Sequence, residues 1–473
     1  MNRISRRTFL KGAVAAAAAP HIAVAAAPRT AVVVGSGIAG LSAAWDLQQA
    51  GFQVTVLEKT DIAGGRMIQK WIGPLYTNPH AGGVFEANRQ MYALAEVVGV
   101  SLHGDRLYDT GTIDNGHGVY EHSLRFPLSQ IMNIPGLSPE TRRRLPVLVE
   151  DLATFRAEVD PCLLATGAAY DDECLWDYYA RKLGQVAARE LVDYWVDPVL
   201  DAWGSRPEET SRVPMLAWFA QENARLVIPH DGIGVLTRKL ATLVDVQLNT
   251  PVRCITGPVS NGRHTVHYLT PDQERRSMTP DIVVCAVEGK YVTHMVEGLS
   301  PRQDEFFRSI FFTQFAGVSF ILKSRHAPRE YVDGRYIPAH PDPVKRRIYG
   351  WYAAPANPEK HDRPPVVWLS LARREVPKWT ASGENLPDYC LPLVQHVYPA
   401  LREDMIDDVV VEGGDDLVEL PTGFIRAMAE FHRQQDKEKR GLYFAGEYLG
   451  HAHTGGACAS GRAVARTIVR HWA

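Results

Sequence analysis

Four short stretches of this chain have residue types and spacings suited to chemistry. The first is Gly35-Ser36-Gly37-Ile38-Ala39-Gly40, with Glu58 placed 23 residues beyond the first glycine. Gly35 permits a tight turn, Gly37 lets backbone approach a pyrophosphate, and Gly40 lets a helix pack close to a strand. An acid at that distance suits a ribose 2′-hydroxyl. The second stretch is Asp61-Ile62-Ala63-Gly64-Gly65-Arg66, one loop later. It brings backbone and a fixed cation toward the same ligand, an addition that a nicotinamide dehydrogenase does not need. The third, Ala81-Gly82-Gly83, reads as another close backbone approach. The fourth lies near the C-terminus, where Gly446-Glu447 closes a strand-like run and Gly455-Gly456-Ala457 opens a helix, again an anion-binding arrangement. Beside it stands His451-Ala452-His453. Two histidines without further ligands do not indicate a metal. The pair is either a satisfied structural one, or His453 faces the substrate as the candidate catalytic residue, where a near-neutral pKa suits a base.

The elements that hold these residues follow from the pattern around them. Thr30–Val34 is a β-branched run of the kind found in buried parallel strands, an Ala/Leu-rich helix continues to Ala50, and Gly51 sits where such a helix ends. A second strand over 54–57 completes one βαβ unit. A helix through Leu243 and strand-like runs at 246–252, 265–268 and 281–286 read as the remainder of the same domain, with 442–445 returning at the end. The predicted division is a nucleotide domain from 29–103, 228–300 and 436–473, a helical insert over 104–227, and a mixed-sheet substrate domain over 301–435. In the insert, Trp176, Tyr178, Tyr179, Tyr194, Trp195 and Trp203 fall at helical spacing and are expected mostly in the core.

Residues 1–25 read as a twin-arginine export signal. Ser5-Arg6-Arg7-Thr8-Phe9-Leu10-Lys11 precedes a short apolar run, and Ala23-Val24-Ala25 is a cleavage site. The run is too short to span a bilayer. Its loss removes Arg3, Arg6, Arg7 and Lys11 and takes the formal net charge from −3 to about −7. With no basic block elsewhere, nucleic-acid binding has no electrostatic footprint. The twin-arginine route carries folded proteins, which suits one that loads a cofactor first, and it implies a periplasmic or otherwise exported location. Of the six cysteines, none forms a C-x-x-C pair; Cys254 and Cys285 lie in strand-like runs expected to be buried, and Cys162 and Cys174 are a candidate disulfide.

Taken together, VVVGSGIAGLSAAWDLQQAGFQVTVLEK, AGGRM, GIGVLTRKLA, Asn249-Thr250-Pro251-Val252, LYFAGE and GGACASGRAVA resemble the FAD-dependent amine-oxidase superfamily, which includes amine oxidases, protoporphyrinogen oxidases and phytoene-desaturase-type enzymes. The resemblance implies an α/β fold, a glutathione-reductase-like Rossmann FAD-binding domain with a mixed-sheet substrate domain and a helical insert. It implies FAD, held non-covalently, since no S-G-G-C attachment segment is present and Cys458 lies within a helix. Gly35, Gly37, Ile38, Ala39, Gly40 and Glu58 would hold the ADP half. Gly64, Gly65 and Arg66 would lie near the pyrophosphate and ribityl chain, with Gly82 and Gly83 as the further backbone approach. Val252 would meet the adenine through its backbone, and Gly446, Glu447, Gly456 and Ala457 would lie by the ribityl chain and isoalloxazine. Where amine oxidases carry a lysine near the flavin, this chain has Gly317, with Lys323 further along and solvated; His453 falls at the place of their flavin-facing aromatic. The expected activity is hydride transfer from a small organic substrate, an amine or an apolar CH–CH or porphyrinogen-like compound, to flavin, with oxygen or a quinone as acceptor. The alternatives are a non-catalytic FAD-binding electron-transfer or partner subunit and an NAD-dependent dehydrogenase.

Overall fold

Val32 and Val34 project from one face of their strand and Val33 from the other, and all three are buried because side chains pack on both faces. In the computed structural model, Thr30–Val34 pairs with Gln53–Leu57 on one side and Ile282–Cys285 on the other, with Val34 opposite both Leu57 and Cys285. Asp245–Gln247 and Leu442–Phe444 complete a five-stranded parallel sheet. The structure describes residues 28–472 except 69, 73–74, 78–82, 103–104, 107–110, 123–127, 202–203, 222–225, 230–231, 260–261, 338 and 357–363. The leader, Gly82 and Trp203 therefore lie outside the described residues.

The helix Ile38–Gln49 crosses the closing helix Thr454–Trp472 at very short range. A Cβ on Gly461 would fall 2.1 Å from the Ala39 carbonyl oxygen. The Ser42 hydroxyl donates to the Cys458 carbonyl (3.2 Å), and Arg462 pairs with Asp46 at 2.9 Å. Small residues thus draw the two ends of the chain together, and the start of the last helix is carried to the glycine turn of the first. A three-stranded antiparallel meander, Val252–Thr256, Thr265–Leu269 and Arg275–Met278, hangs from this domain.

The second large sheet has seven strands, in the order Ile406–Val418, Phe312–Leu322, Val366–Leu371, Ile348–Ala354, Val332–Tyr336, Gly111–Asp114 and Val119–His122. The helices Val376–Ser382 and Leu386–Val397 cover one face, burying Val318, Phe320, Leu369 and Leu371 against Leu393 and Val394. Its last two strands come from a stretch that the sequence division assigns to the helical insert. They form a hairpin because Asn115 accepts from the His117 and Gly118 N–H groups (3.0 and 3.1 Å) and Gly116 takes φ +78°. The described helices of the insert begin beyond this hairpin and bury Tyr178, Tyr179, Trp195 and Trp218. Trp176 is only half-buried, its ring lying under the Arg189 guanidinium at 4.1 Å.

All six cysteines are free thiols, so Cys162 and Cys174 are not joined. The Cys162 thiol donates to Asn88 Oδ1 (3.2 Å), whereas Cys174 caps the helix Leu175–Leu183. Cys285 is buried as expected, but Cys254 is only half-buried in the meander.

Candidate cofactor and active site

Gly35 turns the chain at φ +100° directly after the first strand, with its N–H on the Leu57 carbonyl (2.9 Å). A Cβ on Gly40 would lie 2.0 Å from the Gly35 carbonyl oxygen, so the helix is pressed onto the turn as tightly as backbone allows. On Gly37 the same atom would meet nothing within 4 Å. Gly37 is the helix N-cap and has no side chain to satisfy the first-turn N–H groups, which begin with Ile38 and Ala39. An open side next to a helix start is the shape that a diphosphate needs.

Glu58 is 6% exposed and held from two directions. Its Oε2 accepts from the Ser36 N–H (2.9 Å) and hydroxyl (2.6 Å), and its Oε1 from the Thr60 N–H (3.0 Å) and hydroxyl (2.9 Å). Four donors fill the acceptor capacity of a carboxylate. The Thr60 hydroxyl, however, has one proton and two acceptors in reach, the second being the Ile62 carbonyl at 2.8 Å. Turning to Ile62 leaves Glu58 Oε1 open to a ribose hydroxyl at little cost.

Gly64 and Gly65 pack directly on the glycine turn. Gly64 bridges Gly37 and donates to the Ser36 carbonyl (3.1 Å), and a Cβ on Gly65 would sit 3.0 Å from Gly37 Cα. The next residue, Arg66, reaches across the molecule to Glu447, with Glu288 at 3.8 Å and the Phe312 ring at 5.9 Å. Glu447 is 7% exposed, and its second oxygen, Oε1, is buried without a hydrogen-bond partner among the described residues. Val252 is placed near Glu58 by the segment before it, since the Thr250 N–H donates to the Glu58 carbonyl (2.7 Å) and the Asn249 N–H to the Thr60 carbonyl (2.8 Å).

The C-terminal segments close the other side. The Gly446 N–H is held by the Ser460 hydroxyl (3.1 Å), and Gly456 lies against the His451 backbone, with Ala457 buried one residue on. The Thr454 hydroxyl donates to the Gly83 carbonyl (3.1 Å), joining the segment after Gly82 to the last helix. Residues 35–40, 58, 64–66, 83, 446–447 and 456–457 thus meet in one region.

His453 stands at the entrance to that helix. Its Nδ1 accepts from the Gly456 N–H (3.1 Å), and its Nε2 faces the Pro161 carbonyl at 3.3 Å. Burial pushes its pKa down to about 4 against the pull of that carbonyl, so the ring is neutral near pH 7. His451 lies 4.4 Å away, ring to ring, and burial holds it neutral too. Trp218 stacks on His451 and meets His453 edge-on, and Phe85 packs on Trp218 at 3.9 Å. Among the described residues, no group of three or more His, Cys, Asp or Glu is placed to hold a metal ion. Gly317 is buried with the Phe315 ring 3.1 Å from where its Cβ would be, and Lys323 is tied to the Asp404 carbonyl (2.7 Å) just beyond the far end of that strand.

Phe85, Trp218, Ser36 and Thr60 contact the candidate site residues and were not singled out from the sequence. Only Ser36 carried a signal, its place inside the glycine motif.

Residues 38–469 match the model of the family described as flavin containing amine oxidoreductase. The chain belongs to that family. Residues 3–20 match the twin-arginine translocation pathway signal sequence, which indicates export across the membrane. Among relatives of the family, an L-amino-acid oxidase of Mus musculus is 36% identical over 325 residues, 65% of this chain and 49% of that protein. The chain thus spans about half the length of this curated relative. Among solved structures, a triple mutant of putrescine oxidase superposes with a TM-score of 0.68 at 16% identity, covering 94% of this chain and 99% of its own. A CLA-producing fatty acid isomerase from P. acnes superposes at 0.65 with the same identity and coverage. These likenesses show the fold. Flavin is the cofactor expected of a family member, and the open side of Gly37 and the unpartnered buried Glu447 Oε1 fit FAD.

Proposed function

We propose that this chain is an exported FAD-dependent oxidoreductase that takes hydride from a carbon of a small organic substrate, with oxygen or a quinone as final acceptor. The observation that carries this reading is the Arg66–Glu447 pair, which closes the first and last segments of the chain around the proposed cofactor region. FAD supplies the hydride acceptor when bound. Gly35, Gly37, Gly40 and Glu58 hold its ADP half, Arg66 and Glu447 its pyrophosphate and ribityl stretch, and Gly456 and Ala457 its ring. Phe85 and Trp218 offer an apolar aromatic wall beside His453 and exclude water from it. No lysine is needed at Gly317 for a hydride to leave a C–H carbon.

The name of the Mus musculus relative favours an amine substrate, whereas the aromatic wall suits the apolar part of either an amine or a CH–CH substrate. A panel of amines, porphyrinogens and polyene precursors, mixed anaerobically with the yellow protein, is expected to contain one class that bleaches the flavin. Absence of bleaching across the panel would turn the reading toward a flavoprotein that passes electrons without turnover of its own. A protein purified without flavin would return the nicotinamide alternative.

The flavin is held non-covalently on this reading. Cys458, the cysteine within the closing helix, is fully buried, and burial pushes its thiol up to about 12, far from a reactive thiolate. Acid precipitation is expected to leave all the flavin in the supernatant; yellow colour in the pellet would contradict it.

A further inference from the structure

His453 immediately precedes the helix Thr454–Trp472, and its contacts are those of a cap. The Ala457 N–H bonds the His453 carbonyl (3.1 Å) in the first turn, and the Gly456 N–H, three residues into the helix, bonds the ring Nδ1. That is the pattern by which Asn or Asp satisfies a helix start. Because Nδ1 accepts, it carries no proton; the ring proton is on Nε2, where the Pro161 carbonyl receives it. One neutral tautomer serves both bonds, and neither ring nitrogen keeps a lone pair for a substrate proton.

The carbonyl that receives it is fixed in turn. Asp160 Oδ1 accepts from the Cys162 and Leu163 N–H groups (2.8 and 3.3 Å), and the Asp160 N–H is held by the Thr166 hydroxyl (2.8 Å). The same turn also touches the chain five residues beyond Gly83 and three beyond Glu447, through the Cys162 thiol on Asn88 and the Cys162 carbonyl 3.0 Å from where a Cβ of Gly450 would lie. A rigid turn of the helical insert therefore bears on the helix start through one imidazole.

We propose that His453 is a positioning residue: it caps the closing helix and ties that helix start to the Pro161 turn, holding the first turn around Gly456 and Ala457 in register with the flavin ring. The proposal rests on the placement of the ring beside those residues. A well-formed first turn presents its positive end to the charge that reduction adds to the flavin. A frayed one does not.

The test compares the FAD-loaded wild type with His453→Ala and His453→Asn. Three readouts are needed: the FAD Kd, the midpoint potential of the bound flavin, and the thermal midpoint of the flavin-free protein. Asparagine can accept from the Gly456 N–H but is too short to reach Pro161. The alanine variant is expected to raise Kd about tenfold, because binding flavin then has to re-form a helix start that the cap no longer holds, and to make the potential more negative. The asparagine variant is expected to recover most of both while remaining less heat-stable than the wild type, because the Pro161 tie is still missing. Equal Kd and potential in the two variants would overturn the proposal. So would loss of the substrate half-reaction in both at unchanged Kd and potential, which is the signature of a base. If asparagine restores the flavin-free thermal midpoint while Kd and potential never move, the helix start does not face the ring. The placement then fails along with the proposal. A wild type that takes up no flavin fails at the cofactor reading instead, before any variant is compared.

Discussion

Arg66→Ala is expected to lose FAD and to lower stability by about 3 kcal/mol, because it leaves the buried Glu447 carboxylate without its partner. Glu447 is almost fully enclosed, so solvent compensates poorly for the lost guanidinium. Arg66 is itself about a quarter exposed, which places the cost toward the lower end of what breaking a buried pair brings. Glu288 at 3.8 Å is also released by the change, but at 30% exposure it regains water cheaply. Flavin affinity should fall at least a hundredfold, since the same residue supplies the fixed cation to the diphosphate and each 1.4 kcal/mol is about tenfold. Adding Glu447→Gln removes the uncompensated charge and should recover most of the stability but not the flavin. Flavin content after gel filtration and the thermal midpoint measure the two effects separately. An Arg66→Ala protein with full flavin and an unchanged midpoint would show that the pair does not hold the cofactor region together.

What could be read from the residues alone was what local sequence determines. Val32 to Val34 announce a strand buried on both faces, and Gly40 announces contact between helix and turn, because no other residue leaves that space. The strands of the parallel sheet were visible as separate runs hundreds of residues apart, but the run at 246–252 is divided between that sheet and the meander, and the run at 265–268 lies wholly in the meander. The hairpin of Gly111–Asp114 and Val119–His122 was hidden, since two four-residue strands beside long helical periods carry little alternation and only the Asn-Gly turn marks them. Glu58 was legible as an acid but not as one clasped by Ser36 and Thr60, which depends on how the loop folds back. His453 shows the same limit more sharply. Its type and place allow a base or a cap, and the contact that argues for the cap is with the Pro161 carbonyl, 292 residues earlier in the chain. Phe85 and Trp218 also meet only in three dimensions.

Asp197 is the other residue whose role only packing could reveal, and its contribution to stability is expected to fall as pH rises. It lies on the short helix Asp197–Asp201, 5% exposed, with Arg374 at 3.1 Å. An ion pair of that geometry would ordinarily lower a carboxyl pKa. Here burial outweighs it, and Asp201, Glu208 and Asp193 add negative charge around the same arginine, so the pKa rises from 3.8 to about 7. Asp201 is raised to about 6 for the same first reason, although its Oδ1 accepts from the Arg373 N–H (2.9 Å). Between about pH 4 and 7 the unfolded chain has released the Asp197 proton and the folded chain still holds it. Stability from this group is therefore complete below about pH 4 and is lost as pH climbs through 7, by about 4 kcal/mol in total. Carboxylates such as Asp436 and Asp342, held below their usual range, run the other way and gain stability above about pH 4. Asp197→Asn removes the first effect and leaves the second, and Arg374, 43% exposed, is left solvated rather than stranded. The variant is expected to match the wild type near pH 4 and to exceed it at pH 8, with denaturant midpoints at the two pH values as the measurement. Parallel stability profiles for variant and wild type across that window would mean that Asp197 is ionised at low pH like an exposed acid, and that Arg374 prevails over burial.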